Sequence, residues 1–171
     1  NLTELQSEQT AGLLCVSNNI VRIAERCDEI DKSYENLKSK GYKLSNEAIN
    51  EVKECMELSG KLFEEAIEAV ATGDDKVIDK MTRDKNKIRK KNRQCSKAHF
   101  GRVKNKKCSK AMSGDYTEIL QNIGRITDNC VGIAEEAMDN VKFMTLNAEE
   151  MEQYGNVIDF SQAKQVEGTE V

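Results

Sequence analysis

The sequence predicts an all-α protein, an antiparallel up-down four-helix bundle of long helices, and three observations carry that prediction. The 171 residues include no proline and only 10 glycines, almost none of the punctuation that an all-β sandwich or barrel of this length needs. Aromatic residues make up 5% and charged residues 33%, which suits helices with one narrow apolar stripe better than strands rich in aromatic and β-branched side chains. Apolar residues also recur about every 3.5 positions in four separate segments. A hydrophobic content of 38% would suit disorder, but a disordered chain does not hold such a register.

The first helix is expected over residues 8–38, on the stripe Leu13, Val16, Ile20, Ile23, Cys27, Ile30, Tyr34 and Leu37. After Gly41 a second helix is expected over 46–72, with Ser45 or Asn46 as N-cap and Thr72-Gly73 as its end. Its stripe is Ile49, Val52, Met56, Ser59, Phe63, Ala66 and Val70. Asp74 can cap a third helix over 75–106, whose seam of Val77, Met81, Ile88, Cys95 and Ala98 is thinner and is crossed by Asp84 and Lys91. The fourth, over 114–153, carries Tyr116, Ile119, Ile123, Ile126, Cys130, Ile133, Ala137, Val141 and Met144. Residues 1–154 thus read as one bundle and 155–171, which lack a stripe, as a loosely ordered tail. Short connections make neighbouring helices antiparallel, and the four stripes are expected to bury one another.

Several function classes fall away at this point. Six cysteines without a C-x-x-C pair, and a single histidine, do not make a structural zinc site. Cys27, Cys55 and Cys130 lie in apolar patterns and read as buried, reduced thiols of a cytosolic setting. No run of 18 apolar residues and no secretory leader is present in the sequence. The chain begins at Asn1 in mid-pattern, which reads as a piece of a longer protein. A carboxylate-bridged metalloenzyme of the ferritin-like kind needs Glu-x-x-His pairs, and no Glu stands three residues before His99. No cofactor and no catalytic residue is expected, so the chain reads as a non-enzyme.

The first and fourth helices share a repeat. Asn19-Ile20-Val21-Arg22-Ile23-Ala24-Glu25-Arg26-Cys27-Asp28-Glu29-Ile30 and Asn122-Ile123-Gly124-Arg125-Ile126-Thr127-Asp128-Asn129-Cys130-Val131-Gly132-Ile133 agree at six of twelve positions, with a carboxylate kept at a seventh. Helical periodicity accounts for the isoleucines; the shared Asn, Arg, acid and Cys indicate a duplication. Arg22 with Glu25, and Arg125 with Asp128, are spaced to form intrahelical ion pairs. Alternatively, Glu25 and Asp128 face each other as remnants of a metal site, although two carboxylates alone make a poor one.

The segments Arg22-Ile23-Ala24-Glu25 and Arg125-Ile126-Thr127-Asp128 resemble degenerate copies of the E-R-I-G-D signature helix of PhoU-like domains. The stretch from His99 through Arg102 to Cys108 is similar to the H-x-x-R-L-x-x-G-x-C segment of the PhoU-like domain that ends bacterial sodium/phosphate cotransporters. The resemblance covers roughly residues 15–140 and implies a non-catalytic, regulatory helical domain at the cytoplasmic face of the cell membrane. Its partner would be the transmembrane portion of a sodium-dependent phosphate symporter. A free-standing phosphate-signalling adaptor of the same family is the alternative; it normally shows two three-helix repeats, where this chain shows one repeat preceded by a single signature helix. Relatives bind metal clusters through E-x-x-x-D motifs, but Val21 and Gly124 replace the first acid here, and Lys85 and Arg89 stand where the third helix would carry acids. These departures remove both ligands and charge compensation, so no metal cluster is expected here, and Glu25 and Asp128 are its degenerate remnants.

Between Arg83 and Lys110 lie 13 Lys or Arg and one acid, a net +12, so the remainder carries −16 within the overall −4. One reading is internal: the acidic face of the second helix, with Glu47, Glu51, Glu54, Glu57, Glu64, Glu65 and Glu68, lies beside the basic helix. The other is a contact surface of Arg89, Lys90, Arg93, Lys97, Lys104, Lys106 and Lys107 for anionic lipid or transporter loops. Nucleic acid is disfavoured, since Phe100 is the only aromatic in the run. A homodimer is compatible with the sequence, with no residue pointing to an interface. His99 reads as a structural histidine in a polar layer.

Overall fold

The computed structural model describes residues 3–74 and 76–141. Four α-helices make up the bundle, and no strand occurs among the described residues: α1 (Glu4–Ser39), α2 (Asn46–Thr72), α3 (Lys76–Lys104) and α4 (Ser113–Glu136). A 3-10 turn, Lys110–Met112, leads into α4, and a π-helical turn, Ala137–Val141, follows it. The part of the expected fourth helix beyond residue 141, including Met144, and the expected tail 155–171 lie outside the described residues.

Local chemistry sets the ends. Thr3 and Gln6 form a reciprocal capping box that starts α1 at Glu4, earlier than the apolar stripe alone would place it. Ser45 Oγ accepts from the Ala48 amide at 3.2 Å, and Gly73 closes α2 in the left-handed region at φ 65°. Asp74 Oδ1 accepts from the Lys76 amide at 3.0 Å at the entrance to α3. Lys106 ends that helix with φ 57°, while the Lys106 and Lys107 amides return to the carbonyls of Val103 and Arg102. Position 106 is where the H-x-x-R-L-x-x-G-x-C segment has glycine, the residue best suited to that conformation.

Helix α4 is the centre of the bundle. It packs against all three other helices, and its Tyr116, Ile119, Ile123, Ile126, Cys130 and Ile133 are buried with Leu62 and Ala66 of α2 and Met81, Ile88 and Cys95 of α3. Helix α1 packs antiparallel along α4 and the π-helical turn, and barely meets α2 or α3. Its register is fixed by Asn129 donating to Asn19 Oδ1 at 2.9 Å and Asn36 donating to Asp115 Oδ1 at 2.6 Å. That register sets the two copies of the repeated motif across from each other, with the helices running in opposite directions.

The mutual burial expected of all four stripes therefore fails for α1, because only its α4 side is covered, and in part for α2 and α3, where Ile49 and Ala98 are exposed and Ala48, Cys55 and Leu62, with His99, take the buried positions. Leu13, Ile20 and Tyr34 are 37%, 38% and 40% exposed, and Cys27, expected to be buried, is exposed. Their counterparts one repeat later, Tyr116, Ile123, Cys130 and Ala137, are buried.

Candidate functional site

Three features stand out once the helices are placed: a polar cluster where α2, α3 and α4 meet, a groove between α3 and α4 bordered by two arginines, and the open side of α1.

The cluster explains why His99, Arg102 and Cys108 form a motif. Arg102 forks onto Glu51, Nη1 to Oε1 and Nη2 to Oε2, both at 2.8 Å, and Tyr116 donates its hydroxyl to Glu51 Oε2 at 2.6 Å. His99 is buried, stacks on the Tyr116 ring at 4.7 Å and meets Ser113 Oγ at 2.9 Å through Nε2. Cys108 Sγ lies 3.9 Å from His99 Nδ1. Burial raises the Glu51 carboxyl, but the hydrogen bonds from Arg102 and Tyr116 and the Arg102 charge outweigh it and bring its pKa below the ordinary value. Burial lowers the His99 pKa, helped by the Arg102 charge, while Glu51 pulls the other way. Arg102, Glu51 and Tyr116 are spent on one another, so the cluster locks three helices together. Glu51, Ser113 and Tyr116 were not legible as its members, because their partners are many residues away in the chain.

The buried thiols are equally inert. Burial pushes Cys55 and Cys130 up to about 12, and Cys55 Sγ rests 3.9 Å from Cys95 Sγ. Neither is a thiolate near neutral pH.

At the α3–α4 crossing, Lys85 Nζ and Arg89 Nη2 both reach Asp128 Oδ1, at 2.8 and 2.9 Å. The intrahelical pair expected between Arg125 and Asp128 does not form, because these two cations of α3 claim the carboxylate first. Arg125 turns instead to Glu118, at 3.6 Å. Arg22 and Glu25 are exposed and have no ion-pair partner among the described residues, which also removes the expected pair on α1. The residues do not fit the metal cluster that the signature resemblance implies: Asp128 is neutralised by cations, Gly124 supplies no donor, and no three potential ligand side chains come together among the described residues.

Helix α3 divides its cations between two neighbours. Glu51, Glu54 and Glu65 of α2 take Arg102, Lys91 and Lys80, so part of the acidic face of α2 does lie beside the basic helix. Lys90, Arg93, Lys97, Lys104, Lys106 and Lys107 pair with no carboxylate among the described residues and are exposed. Part of this unpaired surface lines a groove of about 460 Å³ between α3 and α4, bordered by Arg89, Asn92, Arg93, Ser96, Thr117 and Gln121.

The open side of α1 has a different character. Between Glu8 and Arg22 there is no charged residue, in a chain that is one-third charged; of residues 9–21 only Gly12 and Val16 are buried. Leu14 is 61% and Val21 56% exposed. A helix segment without charge on any side belongs against another surface. Toward its C-terminal end the same helix borders an apolar groove of about 350 Å³ with Leu44, Ile49 and Val52. No described helix is long and apolar enough to cross a membrane.

Comparison with known proteins adds one finding. A family model described as PhoU domain matches residues 52–137, from the second turn of α2 to the end of α4. No curated protein and no solved structure matches the chain.

Proposed function

The chain belongs to the PhoU domain family, and on that premise we propose that it is the cytoplasmic regulatory and interaction domain of a sodium-dependent phosphate transporter. The family is concerned with regulation of phosphate transport or with phosphate signalling, and is in general non-catalytic. The observation that carries the interaction reading is the uncharged, exposed stretch of α1, for which water is a poor neighbour. The transmembrane portion of the transporter is the partner assigned to this side. The unpaired cations of α3 face the anionic membrane surface beside it.

The Arg102, Glu51 and Tyr116 side chains are spent on one another, in keeping with a domain that works by contact. Its action on transport then follows from docking: a shift in position or occupancy of the domain changes the equilibrium between conformations of the transporter it touches.

The test separates folding from contact. Leu14→Lys and Val21→Lys on α1, and Lys97→Glu and Lys104→Glu on α3, should leave far-UV circular dichroism unchanged and weaken capture of the purified domain by membranes that contain the transporter. Equal capture by the wild type and all four variants would refute the reading. A domain that binds no membranes but instead regulates uptake from solution would favour the free-standing adaptor.

A further inference from the structure

We infer that the groove between α3 and α4 is a binding site for a phosphate group, as free inorganic phosphate or as a phosphomonoester headgroup. The inference stands on the geometry of these two helices and does not depend on attachment to a transporter.

Arg89, Asn92, Arg93 and Ser96 of α3 and Thr117, Gln121 and Gly124 of α4 line the groove over an apolar floor at Leu120, with no carboxylate in its wall. Its volume of about 460 Å³ lies in the range of small-ligand sites. Arg93 is the centre of the argument. Its Nε donates to the Arg89 carbonyl at 3.3 Å, which holds the side chain against α3 and leaves both terminal nitrogens of the fork free for two oxygens of one anion. Arg93 also borders the adjoining hollow with Lys90 and Lys97, so a ligand at Arg93 lies between further uncompensated cations.

The rest of the lining adds three polar side chains, while the buried Asn92 Oδ1, an acceptor, has no hydrogen-bond partner among the described residues. Ser96, Thr117 and Gln121 carry hydroxyl and amide donors that bond to no described residue, while Asn92 spends its Nδ2 on the Leu120 carbonyl at 3.0 Å. Gly124 lines the α4 wall of the groove without a side chain of its own. The nearby acids are both engaged: Asp128 by Lys85 and Arg89, and Glu118 by Arg125. This crossing gathers two cations around one carboxylate.

Asp128 is then a built-in competitor. Its carboxylate occupies Lys85 and Arg89 as an incoming phosphate would, so removing its charge should strengthen binding.

The test uses the 171-residue protein, titrated at constant ionic strength with inorganic phosphate by calorimetry and, separately, with vesicles of neutral lipid containing phosphatidic acid. Arg93→Gln should weaken binding tenfold or more, and Asp128→Asn should tighten it several-fold. Lys53→Glu, on the α1–α2 side, should change it less than twofold. Binding of phosphate with this pattern makes the free anion the ligand; the same pattern with vesicles alone makes it a lipid headgroup. No binding of either, or equal loss in Arg93→Gln and Lys53→Glu with circular dichroism unchanged, overturns the assignment.

Discussion

Tyr116 donates its hydroxyl to Glu51 Oε2 at 2.6 Å, on the same carboxylate that receives the Arg102 fork. The arrangement joins α2, α3 and α4 at one end of the bundle, with the Arg102 and Glu51 side chains only 15% and 19% exposed. Removing one member leaves the others desolvated and unpaired. Glu51→Ala should therefore cost about 3 kcal/mol of stability, and Tyr116→Phe about 1 kcal/mol. Urea denaturation followed by circular dichroism checks both; an unchanged midpoint for Glu51→Ala would show that the cluster is not holding the helices.

His99 gives the bundle a pH dependence. The groups around it are Arg102 and Glu51, which act on its charge, with Ser113, Cys108 and Tyr116 in contact. Its pKa is lowered from 6.5 on folding, so the unfolded chain takes up the proton first as pH falls. The stabilisation is complete above about 6.5 and is lost on acidification through the folded-state value. His99→Gln, which keeps a polar side chain, should flatten the fall in urea midpoint between pH 7.5 and pH 5. An equally steep fall in the variant would place the dependence elsewhere.

Two backbone positions have room for improvement. Lys106 holds φ 57°, a conformation that costs an L-residue roughly 1–2 kcal/mol. Lys106→Gly should therefore raise stability by about 1 kcal/mol. Gly60 lies inside α2, and a Cβ there would meet nothing within 4 Å. Gly60→Ala should add about 1 kcal/mol through helix propensity alone. Thermal melts of the two variants read these gains directly.

The open side of α1 makes a contrasting forecast. Ile126 is 4% and Leu37 1% exposed, and truncation of either to Ala should cost about 2–4 kcal/mol. Leu14→Lys should cost little, because Leu14 already faces water at 61% exposure. Comparable destabilisation in all three would mean that the outer face of α1 is covered within the single chain.

Much of this architecture is legible in the sequence because helices announce themselves locally. The seams of Leu13 to Leu37 and Tyr116 to Ile133, the Ser45 cap and the Gly73 stop each rest on residues within a turn or two of one another. Periodicity shows which face of a helix is apolar but not what covers it, so Cys27 and Ile20 read as core while α4 covers only one side of their helix. The same limit hid the Glu51 cluster, where Arg102 and Tyr116 are 51 and 65 residues away in sequence. It also misassigned Arg125: spacing favours Asp128, but a cation from α3 reaches the carboxylate more closely. Lys85 and Arg89 were legible as departures from an acidic motif, and the helix crossing supplies what they do instead.

Sodium-dependent uptake of labelled phosphate tests the central claim most directly, measured in host cells that produce the wild-type domain or the Leu14→Lys, Val21→Lys double variant at equal abundance. The account predicts that uptake, or its response to external phosphate, changes while the purified variant stays folded. Identical uptake in both strains would contradict it.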